Sequence, residues 1–365
     1  MTLCVSSYQL GASFIDKHIS GIRPDDTVAI VRYNGTPFGT RFDPGFPVLS
    51  LEQWASTLGS RIGRRIGMPQ ERLRDSAIRK FLQRHGATAV LGDFLDQFLD
   101  VVPAVRALGL PYVVQGHGID VSAALRNPQT AAGYKVYESA AAILTRCEFH
   151  RRRLIGLGLP ADKIHVNPGG VEVPASKPAK DAASAKRLLA VGMMVPQKAP
   201  IVLLESFRRA AARDPDLTLD YVGSGQLLPA AEQFVAACDL KSRVKLHGFA
   251  PEAEKRRLLR ECGIFVQHSM TVARTGHEEG LPAAIQEAMA HGLAVVSTRH
   301  SGIPEAVVHG ETGLLVREGD AEAMAQAMVA ATHEAERMGA AGYARAKSMY
   351  AWEHERDRLS RWLFG

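Results

Sequence analysis

The 365-residue chain has no apolar run approaching the ~18–20 residues of a membrane-spanning helix, so an integral membrane protein is not expected. Cysteine is scarce: Cys4, Cys147, Cys238 and Cys262 stand apart, without disulfide, redox or zinc spacing, as suits a reducing cytosol. No metal site is expected. The opening Met1-Thr2-Leu3-Cys4-Val5-Ser6-Ser7-Tyr8 lacks a basic segment followed by an apolar core, so a secretory signal is not expected. Glycine-rich phosphate loops are also missing. Only Gly11 follows the first expected strand, and Gly223-Ser224-Gly225 is too short for a dinucleotide fingerprint. The basic stretch 61–85 has no interleaved aromatic platform, which makes nucleic acid the weakest candidate partner.

What remains is an ordinary globular composition, 46% hydrophobic and 22% charged, long enough for two domains. The most informative stretch is EEGLPAAIQEAMAHGLAVVSTRHSGIPEAVVHGETGLLV at 278–316. Pro282 fits the first turn of a helix, good helix formers follow, and Gly292 closes it from the C′ position. Leu293 to Thr298 is short, apolar and β-branched, as a strand buried on both faces should be. In open α/β sheets ligands bind outside the carboxyl ends of strands, so Glu279-Gly280-Leu281 and the run from His300 to Glu305 can face one crevice. Amides of Gly280, Leu281 and Ala283 at the helix start would attract phosphate or sugar oxygens. Glu279 and Glu287 can accept bidentate hydrogen bonds from vicinal hydroxyls at the two ends of an elongated ligand such as a nucleotide sugar. By spacing alone they read as dipole and solubility residues.

Glu279-Gly280-Leu281-Pro282, running on to Glu287-Ala288-Met289-Ala290-His291-Gly292, closely resembles the signature of the family-four retaining glycosyltransferases. The run Ser297 to Glu305 looks most like the branch that builds exopolysaccharides of the colanic-acid and amylovoran type. The resemblance implies the GT-B fold: two Rossmann-like α/β/α domains facing each other across a cleft, with a terminal helix crossing back. On the sequence that gives an N-terminal domain over 1–172, a linker rich in Pro, Ala and Lys over 173–185, a nucleotide-sugar domain over 186–345, and a helix over 346–365 packing on the first domain.

The resemblance further implies roles. Glu279 would hold the sugar hydroxyls, Glu287 the ribose, Lys198 the phosphates, and His117 the sugar from the opposing domain. Gly280, Leu281, Pro282, Ala283, Gly223 and Gly225 would line the donor site, and Gly11, Gly116, Gly118 and Asp120 the acceptor side. The family's diphosphate clamp pairs an Arg with that Lys; here Met193 and Met194 stand in the place of the Arg, with Arg299 a candidate substitute. The implied reaction is hexose transfer from a nucleotide diphosphate sugar to a saccharide or lipid-linked acceptor, with retention and without metal or other cofactor. A same-fold phosphorylase or epimerase and a non-catalytic relative are the alternatives.

Eight basic residues between Arg61 and His85 against Glu71 and Asp75 account for the whole net charge of +6. Leu51, Trp54, Ala55, Leu58, Ile62 and Ile66 recur at helical spacing beside Arg61, Arg64 and Arg65. This basic amphipathic helix can lie on anionic lipid, as part of a membrane-facing surface over 54–85, or face the core with its arginines solvated; the resemblance, with its lipid-linked acceptors, favours a cytoplasmic protein peripheral on the inner membrane face.

Overall fold

The computed structural model describes residues 1–9, 13–33, 45–57, 65 and 67–365. The expectations for Gly11, and for Leu58, Arg61, Ile62, Arg64 and Ile66, lie outside the described residues.

The chain divides into two compact units, Met1–Asn167 with Glu355–Gly365, and Pro168–His354. The first is built on a seven-stranded parallel sheet of β1 (Thr2–Gln9), β2 (Thr27–Tyr33), β3 (Val48–Ser50), β4 (Ala87–Asp93), β5 (Tyr112–Gly116), β6 (Ala142–Thr145) and β7 (Ile164–Val166). Its order is β3-β2-β1-β4-β5-β6-β7. The second holds a six-stranded parallel sheet of β8 (Arg187–Val191), β9 (Thr218–Val222), β10 (Val244–Gly248), β11 (Ile264–Val266), β12 (Ala294–Thr298) and β13 (Gly313–Val316). Its order is β10-β9-β8-β11-β12-β13. Both are doubly wound α/β units, the fold class that the sequence implies. In each, strand order reverses once, at β1/β4 and at β8/β11, which opens a ligand crevice at the carboxyl ends of those strands.

The second sheet shows why short apolar runs become buried strands. Leu188, Ala190, Leu219, Tyr221, Ile264, Val266, Ala294 and Val296 point into the core on one face, with Met324, Met328 and Met338 of the Ala321–Met349 helix. Leu189, Val222, Phe265, Val295 and Leu315 point into the core on the other, against Ile285, Ala288 and Met289. Adjacent strand residues serve opposite faces, so helices must cover both.

The helix expected from Asp96 to Leu108 is two, Leu95–Phe98 and Val102–Ala107. Pro103 lies in the first turn of the second, where its missing N–H costs nothing; one continuous helix would have needed that donor. The expected amphipathic helix begins as Leu51–Ala55 with no buried residue, and the next described helix, Gln70–Arg84, buries Ile78 and Leu82. The terminal helix Trp352–Phe364 gives Glu355–Gly365 to the first unit, where Trp362 stacks on His165 at 5.4 Å and Arg23 lies over the Phe364 ring.

Candidate functional site

In the second unit the expected donor residues gather at the carboxyl ends of β8, β9 and β11. The Ala283–Ala290 helix starts one residue later than expected, with Pro282 as N-cap. It ends in a Schellman turn: Leu293 N–H donates to Ala288 O at 3.0 Å, Gly292 N–H to Met289 O at 2.9 Å, and Gly292 takes a φ of +71°. Just before it, Glu279 Oε2 pairs with Lys198 Nζ at 2.9 Å, both side chains largely buried. Gly280 and Leu281 are buried, and Gly280 O accepts from Gly302 N–H at 3.1 Å, tying the loop to the segment after β12.

Lys198 is carried by the loop after β8, which lies backbone to backbone against the loop after β9. A Cβ on Gly223 would stand 1.9 Å from Gly192 O, and one on Gly225 2.6 Å from Met194 O. Met194 N–H donates to Ser224 O at 2.9 Å. Both glycines are therefore required for close approach of the two loops. Of the two methionines, Met194 is a core residue at 0% exposure, whereas Met193 is 61% exposed. Arg299 is exposed at the end of β12, its amide donating to Val316 O. A pocket of about 370 Å³, lined by Gln197, Gln226, Arg274 and His277 among others, lies beside this loop.

Glu287 pairs with Lys255 Nζ at 3.0 Å, and Lys255 also meets Glu252 at 3.0 Å. Burial alone would lower the Lys255 pKa, but Glu287 and Glu252 outweigh it and raise it, so the cation is held in place. The sequence gives no signal for Lys255, and it offers His300, whose Nε2 accepts from Glu279 N–H at 3.1 Å, only as the first residue of a run facing the crevice, with no partner assigned. Each partner lies more than twenty residues away on another element, where spacing carries no signal.

In the first unit, His117 sits just past β5 with both ring nitrogens engaged. Arg146 Nε donates to Nδ1 at 3.3 Å, and Nε2 meets Asp93 Oδ1 at 2.8 Å. A guanidinium can only donate, so Nδ1 carries the lone pair and the Nε2 proton goes to Asp93. Burial, and then Arg146, lower the His117 pKa despite Asp93. Phe14 and Phe94 flank the ring at 4.6 and 4.5 Å. Asp93 bridges onward to His18 at 3.0 Å, and His18 to Glu355 at 3.4 Å; Glu355 accepts from Arg146 Nη1 at 2.9 Å.

Asp120, expected on the acceptor side, is fully buried, and its two oxygens accept from the amides of Leu95, His117 and Gly118. A Cβ on Gly116 would meet Val121 at 2.5 Å, and Gly118 is buried. In this packing Gly116, Gly118 and Asp120 together shape the His117 loop. Among the described residues, no group of three or more His, Cys, Asp or Glu is placed to hold a metal ion.

Comparison with known proteins places these features in a family. The model for "Glycosyltransferase Family 4" matches residues 47–173, and that for "Glycosyl transferases group 1" residues 185–334. The chain is 35% identical over 212 residues to the amylovoran biosynthesis glycosyltransferase AmsK of Erwinia amylovora, covering 57% of this chain and 52% of AmsK. It is 32% identical over 217 residues to the putative colanic acid biosynthesis glycosyltransferase WcaL of Escherichia coli, covering 59% and 53%. The chain thus spans about half the length of the curated relatives it matches. Among solved structures, Anabaena HepE in complex with UDP and glucose superposes with a TM-score of 0.78 at 16% identity, covering 99% of this chain and 98% of HepE. Sucrose-phosphate synthase of Thermosynechococcus elongatus gives 0.73 at 18%, covering 99% and 97%. With one domain model on each half, GT-B structures matching over nearly the full length, and the Glu279 to Gly292 motif paired through Glu279 with Lys198, the chain belongs to the family-four glycosyltransferases of the GT-B fold.

Proposed function

We propose that the chain is a retaining, metal-independent glycosyltransferase that moves a hexose from a nucleotide diphosphate sugar to a hydroxyl of a saccharide or lipid-linked saccharide in bacterial exopolysaccharide synthesis. The observation that carries this is the Lys198–Glu279 pair at the carboxyl ends of β8 and β11, beside the start of the Ala283–Ala290 helix. Charge develops on the departing diphosphate, and an ammonium with three donors can keep Glu279 while turning a proton to phosphate. Helix-start amides add fixed partial positive charge. Glu279 then holds sugar hydroxyls, and Glu287, fixed by Lys255, the ribose. The bond from the anomeric carbon to phosphate breaks, the bond to the acceptor oxygen forms on the same face, and the acceptor proton passes to the leaving phosphate oxygen. No side-chain base is needed. A sugar hydroxyl reaches His117 Nδ1 only by displacing Arg146, the longer of its two contacts.

Thermal shift of the purified chain against UDP, GDP, ADP and dTDP and their sugar conjugates, without added metal, tests the reading. One nucleotide class at 100 times its dissociation constant should stabilise by ~2.7 kcal/mol. The exposed Met193, in place of a cation, favours the rival non-catalytic reading, which moves ahead if no nucleotide stabilises the chain.

Peripheral docking on the inner face of the membrane belongs to the same proposal. The Gln70–Arg84 helix buries Ile78 and Leu82 and exposes Arg72, Arg79, Lys80 and Arg84. Among the described residues no helix is long and apolar enough to cross a membrane. Changing Arg72, Arg79 and Lys80 to Ser should remove roughly 3 kcal/mol of attraction to an anionic surface, at ~1 kcal/mol each. Sedimentation with phosphatidylserine vesicles at low salt reads this, and an unchanged bound fraction would return the helix to a purely structural role.

A further inference from the structure

The segment 267–282, between β11 and the Ala283–Ala290 helix, contains no helix or strand, yet it carries Glu279. A loop of this length keeps one geometry only if its polar backbone is pinned from outside. Its pins come from three directions within the second unit. Met270 N–H donates to Gln197 O at 2.9 Å on the Lys198 loop. Thr271 N–H donates to Glu318 Oε2 at 2.9 Å, past the end of β13. Glu279 N–H donates to His300 Nε2 at 3.1 Å, past the end of β12.

The second and third pins are one device. His300 is 1% exposed, and its Nδ1 lies 2.7 Å from Glu318 Oε1. A backbone N–H can only donate, so His300 Nε2 carries the lone pair and Nδ1 the proton, which goes to Glu318. The carboxylate of Glu318 thus fixes the tautomer that can receive Glu279, while its other oxygen holds Thr271 at the far end of the same loop. Glu318 is fixed in turn: the next amide, Gly319 N–H, donates to His268 Nε2 at 2.9 Å, and Asp320 caps the Ala321–Met349 helix. Burial drives the His268 pKa down to about 4, so that acceptor persists near neutrality.

We infer that His300 and Glu318 are positioning residues for sugar recognition: a Glu318–His300 latch, bonded to the amide of Glu279 and to the loop that bears it, sets where the Glu279 carboxylate stands against Lys198. The inference rests on the reading of Glu279 as the sugar-hydroxyl ligand. Neither latch residue needs to touch the donor. Its signature is selective, because loss of the latch should harm binding of the sugar and spare binding of the nucleotide diphosphate.

The test is calorimetry of the full chain with two probe pairs, UDP-glucose against UDP and GDP-mannose against GDP, for wild type, His300→Ala, His300→Gln, Glu318→Ala and Glu279→Ala. For the pair that wild type binds, His300→Ala should lose ~10-fold or more of the preference for the sugar nucleotide while affinity for the bare diphosphate changes less than about threefold, the scale at which orienting partners act. His300→Gln, whose amide oxygen can accept from Glu279 N–H, should restore most of it. If His300→Ala fails to fold, Glu318→Ala, at a position one-third exposed, should show the same loss of preference. A preference kept within about twofold in the folded latch variants, with Glu279→Ala losing it, overturns the latch alone. A preference kept in Glu279→Ala as well, or no binding of either pair by wild type, removes the sugar-site reading and the latch with it.

Discussion

Glu279→Ala is expected to abolish sugar transfer while the chain still binds the nucleotide diphosphate as well as, or better than, wild type. The two effects separate because Glu279 and Lys198 share one ion pair at 2.9 Å, each side chain less than one-fifth exposed. Removing the carboxylate frees the Lys198 ammonium for phosphate, which favours the diphosphate, and removes the acceptor for sugar hydroxyls, which disfavours the sugar. Lys198→Ala should weaken binding of the bare diphosphate as well as transfer. It leaves Glu279 without its cation and the departing diphosphate without its nearest positive side chain, a loss of about 3–4 kcal/mol in the transition state, or ~10²–10³-fold in kcat. Steady-state release of nucleotide diphosphate, read beside calorimetry with the bare diphosphate, distinguishes the two variants. Equal transfer by Glu279→Ala and wild type would remove Glu279 from the site.

The second large effect concerns stability. Glu355 is buried at 1% exposure and accepts from Arg146 Nη1 at 2.9 Å, His18 Nε2 at 3.4 Å and Asn167 Nδ2 at 3.4 Å. Burial works against its charged form, yet Arg146 and His18 hold its pKa at about 2. Glu355→Ala would leave the buried Arg146 guanidinium without its carboxylate and His18 with Asp93 alone, which costs about 3–5 kcal/mol, a large share of the ~5–15 kcal/mol of a typical domain. For a unit of ~150–250 residues each kcal/mol moves Tm by ~2–4 °C, so a fall of roughly 6–20 °C is expected by scanning calorimetry.

The pH dependence has a defined sign. Burial opposes the His18 charge, but Asp93 and then Glu355 overcome it and raise its pKa to about 9. Its contribution is fully present below the unfolded value of about 6.5 and is lost as pH rises through about 9. Glu355 behaves oppositely: its contribution is present above the unfolded value and is lost as pH falls towards about 2. Glu355→Gln takes one supporting charge from His18, so its denaturant midpoint should fall less than that of wild type between pH 7 and 9.5. Parallel curves for the two proteins would show that His18 is not charged in the fold.

Much of the fold was legible in the chain because its signals are local. Leu293 to Thr298 reads as a buried strand from composition alone, and Gly292 ends the preceding helix because the turn needs a positive φ. The motif from Glu279 to Gly292 and the lysine at 198 were likewise visible, being short runs of fixed spacing. The reading failed where one residue or one distant partner decides. Pro103 split a helix that apolar spacing made continuous. Nor does spacing show that Asp120 caps three amides, because its loop folds back on Leu95.

The sequence by itself therefore determined the α/β alternation in both halves, the family, and the candidate residues Glu279, Glu287 and Lys198, since each is written in periodicity or in short runs of residues. Only the tertiary structure decided what those side chains meet: that Lys198 stands on Glu279, Lys255 on Glu287, His300 on the amide of Glu279, and His18 between Asp93 and Glu355. These pairs join residues 21 to 337 positions apart. Parallel strands and their crossovers bring such residues together at the carboxyl ends of a sheet, and no spacing rule along the chain encodes that meeting.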